Sequence, residues 1–136
     1  MNKPVRLLLI EDNPDDAILL RLVLEDAGFQ LDMVRVQTEA ELRQALPNDD
    51  WQVIISDYNL PTFDGMAALQ IVREWNPVVP FFFISGAVSE EVGARAMEMG
   101  ATDYLLKDNL TRLAPALQRE IKVAESRQDS LITAAQ

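Results

Sequence analysis

The sequence contains no cysteine and no histidine among its 136 residues. These absences exclude disulfide bonds, zinc sites built from thiolates or imidazoles, and hydrolases that depend on a serine–histidine pair. Basic residues are also scarce, because 12 lysines and arginines stand against 22 aspartates and glutamates, for a formal net charge of −10. Such a chain repels nucleic-acid phosphates and anionic lipid headgroups. No nucleic-acid partner is therefore expected, and any chemistry must depend on carboxylates.

Long hydrophobic segments are missing too. The longest apolar runs, such as residues 7–10 and 78–84, fall well short of the roughly 20 residues that a membrane span needs. The first residues lead directly into a strand-like stretch, without the apolar core and small-residue cleavage site of a secretory signal. We expect a soluble cytoplasmic protein with no membrane partner.

Five short runs rich in β-branched and aromatic residues alternate with five segments of helical period. The predicted strands cover residues 5–10, 31–36, 51–56, 81–85 and 103–106. The predicted helices cover residues 14–27, 39–46, 65–75, 90–99 and about 112–127. Several strands are apolar throughout, as in a parallel sheet covered on both faces. The alternation predicts an α/β, doubly wound (βα)5 domain, a flavodoxin-like three-layer sandwich with parallel strand order 2-1-3-4-5.

Residues at the helix boundaries support this assignment. Asn13 before Pro14 suits an N-cap followed by the first helical position, and Thr38 with Glu41 has the spacing of a capping box. The last helix outruns its apolar face, since the residues after Ala124 are mostly polar. We expect one domain at 1–127, with residues 128–136 forming either a polar C-terminal tail or the start of a linker to a further output domain.

Acidic residues follow two of the predicted strands. Glu11 and Asp12 follow the first strand, and Asp57 follows the third. In an open parallel sheet, ligands bind beyond the carboxyl ends of the strands where the strand order reverses, which here is between these two strands. Converging carboxylates repel one another unless a cation is bound, and an all-oxygen ligand set suits Mg²⁺. The sequence therefore predicts a metal site at this edge.

A hydroxyl and an ammonium group come to the same edge. Ser85 ends the fourth strand, and Lys107 follows the fifth. Lysine binds phosphate as a point charge, and a serine can donate to a phosphate oxygen. An aspartate can act as the nucleophile and form an aspartyl phosphate. The set is typical of phosphoryl transfer.

Four segments in this order, LLLIEDNPDDA, ISDYNLPTFDGMAAL, FFFISGA and ATDYLLKDNL, resemble the receiver domain of bacterial two-component response regulators. The resemblance covers about residues 5–126. It implies a phosphoacceptor switch of a phosphorelay, which is not an enzyme beyond self-catalysed phosphotransfer and dephosphorylation. It implies a sensor histidine kinase or phosphotransfer protein as one partner and an output protein or domain as another, and it is compatible with a homodimer.

The resemblance also implies a phosphoacceptor and a set of metal ligands. Asp57 would accept the phosphoryl group. Asp12, Asp57 and the backbone carbonyl of Asn59 would bind Mg²⁺, with Mn²⁺ as a substitute ion. Glu11 would act on the metal through water.

Three further residues would respond to phosphorylation. Lys107 would bind a phosphoryl oxygen, and Ser85 would move toward the phosphoryl group. Tyr104 would turn inward as Ser85 moves.

The chain departs from the family pattern after the lysine. Most receivers have a proline there in a cis peptide, whereas Asp108 follows Lys107 here. A cis bond without proline costs roughly 3–4 kcal/mol, so we expect a trans peptide.

Three alternatives remain at this stage. A phosphatase of the haloacid dehalogenase type also uses an aspartate nucleophile, but it needs a second aspartate two residues later, where this chain has Asn59. A flavin or nucleotide module has the same fold, but neither G-x-x-x-x-G-K-[ST] nor G-x-G-x-x-G is present. The domain could also be the N-terminal receiver of a larger signalling protein, such as a sensor kinase or a cyclic-dinucleotide enzyme.

Overall fold

The computed structural model describes residues 4–61, 63–87 and 89–135, with side chains described as far as residue 126. Five parallel strands form one sheet: β1 (Val5–Ile10), β2 (Leu31–Val36), β3 (Val53–Asp57), β4 (Phe81–Ser85) and β5 (Asp103–Leu106). Their order is β2-β1-β3-β4-β5. The predicted doubly wound architecture and strand order are confirmed.

Five α-helices connect and follow these strands: α1 (Pro14–Asp26), α2 (Glu39–Ala45), α3 (Gly65–Trp75), α4 (Glu90–Glu98) and α5 (Leu113–Ala135). Two short 3₁₀ segments, Leu46–Asn48 and Lys107–Arg112, follow α2 and β5. Since the strands are parallel, each of the four helices between strands, α1 to α4, returns the chain to the same starting edge of the sheet. The carboxyl ends of all five strands therefore meet at the opposite edge.

The sheet separates two hydrophobic cores. On one face, Leu8, Ile54 and Phe83 pack against residues of α2, α3 and α4. On the other face, Leu9 and Phe82 pack against residues of α1 and α5. Every residue of β3 and β4 is buried, which explains why these central strands are apolar with almost no alternation.

The helix starts follow the predicted capping chemistry. The Asn13 side chain accepts hydrogen bonds from the backbone N–H groups of Asp15 (2.8 Å) and Asp16 (3.4 Å). The Thr38 hydroxyl accepts from the N–H of Glu41 at 3.2 Å, and the Glu41 carboxylate accepts from the N–H of Thr38, also at 3.2 Å. Both predicted caps are confirmed. The cap at Asn13 is important for the site because it starts α1 directly after β1.

Two predicted boundaries were wrong by two residues or more. The third strand begins at Val53 instead of residue 51, because the buried Trp51 packs at the end of the sheet and its indole N–H donates to the carbonyl of Ala45 at 3.0 Å. The last helix continues to Ala135 instead of ending near residue 127, since residues 128–135 include no glycine or proline to stop it. The division between a domain at 1–127 and a tail or linker at 128–136 stays a prediction, and Gln136 lies outside the described residues.

No peptide bond is cis in the described part of the chain. The bond between Lys107 and Asp108 is therefore trans, as the sequence predicts. Among the residues described here, no helix has both the length and the apolar character needed to cross a membrane.

Candidate functional site

Two acidic residues become buried because they lie at the carboxyl ends of two central strands of the sheet. Glu11 follows β1, and its N–H donates to the carbonyl of Val36 on β2 at 3.0 Å. Asp57 is the last residue of β3 and pairs in register with Ile84 of β4. Glu11 is fully buried, and Asp57 is 5% exposed. The topology thus brings together two carboxylates that lie 46 positions apart in the sequence.

Glu11, Asp12 and Asp57 form a compact acidic cluster at this edge. Each offers one carboxylate oxygen, and these three oxygens lie within 4.8 Å of one another. The second carboxylate oxygen of Glu11 is buried without a hydrogen-bond partner among the described residues. Buried carboxylate oxygens need donors or a cation. The donor set and this unpartnered oxygen fit a hard divalent ion such as Mg²⁺.

The ammonium group of Lys107 lies at the centre of the site. Its Nζ donates to Glu11 Oε1 at 2.9 Å, Asp57 Oδ2 at 2.9 Å and Asp16 Oδ2 at 2.7 Å. An ammonium group has three N–H donors, so each of them is engaged by a carboxylate. The site therefore combines several negative charges with one central positive charge.

Burial and the hydrogen bonds of Lys107 shift the pKa values of the site residues. Burial and the neighbouring Asp57 carboxylate raise the pKa of Glu11 to about 8, against the opposing effect of Lys107. Burial alone would lower the pKa of Lys107, but hydrogen bonds to Asp16, Glu11 and Asp57 outweigh it and raise that pKa. The hydrogen bond to Lys107 lowers the pKa of Asp16. Lys107 is therefore charged at neutral pH and holds Asp16 in its charged form.

The loop after β3 orients the carboxylate of Asp57. The N–H of Asn59 donates to Asp57 Oδ1 at 3.1 Å. Beyond that, Asp64 caps α3 by accepting from the N–H of Met66 at 3.0 Å. With Oδ1 bound by Asn59 and Oδ2 by Lys107, Asp57 is held from both sides.

Ser85 and Tyr104 lie at the same edge, and among the described residues their hydroxyl groups bond to a loop carbonyl and not to the acidic cluster. The Ser85 hydroxyl donates to the carbonyl of Ala87 at 2.9 Å. The Tyr104 hydroxyl lies 3.4 Å from that same oxygen. The ring of Tyr104 packs against Tyr58 and Phe83, with ring centroids 5.9 and 6.2 Å away. The structure thus links these two residues to each other through the loop that follows β4.

Asp16 is a site residue that sequence reasoning missed. In the sequence it is one of two acids in the first turn of α1, where acidic residues are common because of the helix dipole. Its partner Lys107 is 91 positions away. A combination of the helix start at Asn13 with the sheet topology would have placed Asp16 above the same edge.

A parallel sheet of order 2-1-3-4-5, with an acidic cluster and a lysine at its carboxyl edge, defines an α/β receiver-type domain. The family model of the response regulator receiver domain matches residues 7–118. The chain therefore belongs to the response regulator receiver domain family, as its four sequence motifs indicate.

Curated relatives are similar over most of this chain. The transcriptional activator protein IrlR of Burkholderia pseudomallei is 29% identical over 134 residues, which is 96% of this chain and 56% of that protein. The DNA-binding transcriptional regulator NtrC of Escherichia coli is 32% identical over 95 residues, which is 68% of this chain and 20% of that protein. The chain spans between a fifth and just over half of these relatives.

Solved structures share the fold. A CheY-like response regulator receiver domain protein from Methanospirillum hungatei superposes with a TM-score of 0.79 at 20% identity, covering 92% of this chain and 99% of that one. The receiver domain of the sensor histidine kinase PA1611 from Pseudomonas aeruginosa has a TM-score of 0.74 at 24% identity, covering 88% and 99%. That structure contains a magnesium ion coordinated in its active-site cleft.

These findings favour the receiver over its alternatives. Receiver domains are phosphoacceptor switches and not enzymes in the usual sense. The haloacid dehalogenase alternative lacks support, because the residue two positions after Asp57 is Asn59, whose amide cannot protonate a leaving group.

Proposed function

We propose that Asp57 is the phosphoryl acceptor of this receiver domain. The observation that carries the proposal is the environment of its carboxylate. Oδ2 lies 2.9 Å from the Lys107 ammonium, and Oδ1 accepts from the N–H of Asn59. The carboxylate is thus held in one orientation at the edge where ligands bind in open parallel sheets.

The proposed transfer is an in-line displacement at phosphorus. A carboxylate oxygen of Asp57 forms a bond to phosphorus while the bond between phosphorus and the donor breaks, and the donor leaves with that electron pair. The donor is the phosphohistidine of a sensor kinase or phosphotransfer protein, or a small acyl phosphate. Lys107 donates to a phosphoryl oxygen as negative charge accumulates there. The product is an aspartyl phosphate, and attack by water on its phosphorus releases inorganic phosphate and restores the carboxylate.

The acidic cluster is proposed to hold the metal ion. Asp12, Asp57 and the backbone carbonyl of Asn59 would be its protein ligands, and Glu11 would contact it through water. Mg²⁺ is the expected ion, and Mn²⁺ would substitute for it. When bound, the ion supplies positive charge that neutralises the phosphoryl oxygens.

Ser85 and Tyr104 are proposed to convert phosphorylation into a change of surface. Ser85 would leave the carbonyl of Ala87 to donate to the phosphoryl group. Tyr104 is bonded to the same carbonyl, so it would rearrange with that loop and turn inward. The face around α4 would then change its affinity for a partner.

The partners of the domain and its place in the cell are also proposals. Because the chain spans only part of its curated relatives, the domain would transmit its state to an output protein, or to an output domain of a larger signalling protein. With a net charge of −10, the domain itself is not expected to bind nucleic acid. We propose that it acts in the cytoplasm, and dimerisation is one way in which its state would be read.

Intact mass spectrometry after incubation with acetyl phosphate tests the proposal. We expect the gain of one phosphoryl group, which requires both Mg²⁺ and Asp57. Asp57→Asn should gain none. Asp26→Asn, which removes the same charge at the far end of α1, should behave like the wild type. A phosphoryl group that persists in Asp57→Asn would contradict the proposed acceptor.

A further inference from the structure

Asp16 makes the shortest of the three contacts to Lys107 and is also the most exposed partner. Its Oδ2 lies 2.7 Å from Nζ. The side chain of Asp16 is 35% exposed, whereas those of Glu11 and Asp57 are 0% and 8% exposed. The three carboxylates therefore differ in what each would lose if Lys107 moved away.

Lys107 has no free N–H group to donate to a phosphoryl oxygen. All three N–H groups of the ammonium are engaged by carboxylates. A phosphoryl oxygen that binds Lys107 must therefore displace one of them. The three carboxylates differ in how much free energy the loss of their contact to Lys107 would cost.

The solvent exposure of each carboxylate indicates which of the three contacts to Lys107 breaks most easily. Release of Glu11 would leave a fully buried carboxylate with both of its oxygens unpartnered, which is costly. Release of Asp57 would separate Lys107 from the residue that carries the phosphoryl group. Release of Asp16 is the least costly, because water can solvate its carboxylate in place of the ammonium.

We propose that Asp16 is a positioning residue that holds Lys107 in the unphosphorylated domain and yields it to the phosphoryl group. The inference depends on the proposed role of Asp57 as acceptor and adds a regulatory element to that site. Asp16 competes with the phosphoryl group for one donor, so it slows phosphorylation. It acts through Lys107 and does not touch the reacting atoms.

The first turn of α1 supplies a matched control. Asn13 accepts from the backbone N–H groups of both Asp15 and Asp16 and so fixes this turn. Asp15 is exposed and forms no ion pair among the described residues. Asp15→Asn therefore removes the same charge from the same turn without affecting the contact to Lys107.

The test is the initial rate of phosphoryl gain from acetyl phosphate with Mg²⁺, followed by intact mass. Asp16→Asn should accept roughly fivefold faster than the wild type, the size expected for loss of one half-exposed ion pair. Asp15→Asn should stay within about twofold of the wild type. Asp16→Glu, which keeps a carboxylate on a longer side chain, should return the rate toward that of the wild type. A purely structural role for Asp16 would slow acceptance instead.

Each outcome decides between the two proposals. If the wild type accepts a phosphoryl group and Asp16→Asn is no faster than Asp15→Asn, the inference about Asp16 is wrong and Asp57 remains the acceptor. A rate for Asp16→Asn below that of the wild type also overturns the inference. If the wild type accepts nothing, the proposed function fails, and the inference fails with it.

Discussion

The hydroxyl groups of Ser85 and Tyr104 donate to one shared acceptor, the carbonyl oxygen of Ala87, at 2.9 and 3.4 Å. Ser85 ends β4, and Tyr104 lies within β5, so the two side chains come from neighbouring strands. A movement of Ser85 toward the acidic cluster would break its bond to this carbonyl and change the environment of Tyr104. The proposed switch therefore has a physical connection between its two members.

Ser85→Ala should separate phosphorylation from the response of Tyr104. The variant keeps Asp57 and Lys107, so it should still gain a phosphoryl group. Without a hydroxyl to move, the ring signals of Tyr104 in NMR spectra should change little when the phosphoryl group is added. The chain has two tyrosines, so Tyr104→Phe assigns the signals. If the Tyr104 signals shift as much in Ser85→Ala as in the wild type when the phosphoryl group is added, the proposed connection between the two residues is contradicted.

Lys107→Ala should leave acceptance by Asp57 partly intact but uncouple the switch. Loss of a charge-assisted hydrogen bond to the phosphoryl oxygens should slow acceptance by roughly tenfold to a hundredfold. The Tyr104 signals should no longer respond. Lys122→Ala, at an exposed position of α5, removes the same charge away from the site and should behave like the wild type. Full switching in Lys107→Ala would show that Lys107 has no role in coupling.

Mg²⁺ should stabilise the folded domain through the acidic cluster. An ion present at about ten times its dissociation constant adds roughly 1.4 kcal/mol to the free energy of unfolding, which raises the Tm by several degrees. Asp12→Asn removes a proposed ligand, so its thermal unfolding should respond much less to Mg²⁺. Asp26→Asn is the control of equal charge. An equal rise of the Tm in Asp12→Asn would place the ion elsewhere.

Gly65→Ala should destabilise the domain. A Cβ added at Gly65 would lie 2.8 Å from the carbonyl oxygen of Tyr58 and 3.1 Å from the Phe83 ring, where α3 starts against the loop after β3. Such overpacking costs roughly 1–3 kcal/mol of the free energy of unfolding.

Gly93→Ala is the matched control for Gly65→Ala. Gly93 lies within α4, and the nearest atom to an added Cβ is 3.9 Å away in Tyr104. This variant should gain up to about 1 kcal/mol, because alanine has the higher helix propensity. Urea unfolding measures both changes, and a Gly65→Ala variant as stable as the wild type would contradict the packing described here.

The sequence predicts most of the fold because its local signals agree with one another. The apolar runs of β3 and β4 predict buried parallel strands, and the caps at Asn13 and Thr38 mark two of the helix starts. The sequence predicts the start of β3 two residues early, because Trp51 has a strand-like side chain that packs at the strand's end instead. The sequence also predicts the end of the last helix too early, since solvated polar residues do not by themselves end a helix.

The sequence predicts the candidate site where its residues end a strand or directly follow one. Glu11 and Asp12 follow β1 and Asp57 ends β3, and topology alone brings them to one edge. Asp16 could not be found in this way, because its contact to Lys107 depends on the orientation of α1 against the sheet. Nor does the sequence show that Ser85 and Tyr104 share the carbonyl of Ala87, since a hydrogen bond to a loop leaves no sequence pattern.

The central claim is that Asp57 carries the phosphoryl group, and chemical mapping of the phosphorylated protein tests it most directly. Borohydride reduces an acyl phosphate to an alcohol, so the modified aspartate becomes homoserine and can be located by peptide mass spectrometry. The account predicts homoserine at position 57 after treatment with acetyl phosphate and Mg²⁺. Homoserine at another aspartate, such as Asp12 or Asp64, with none at position 57, would contradict it.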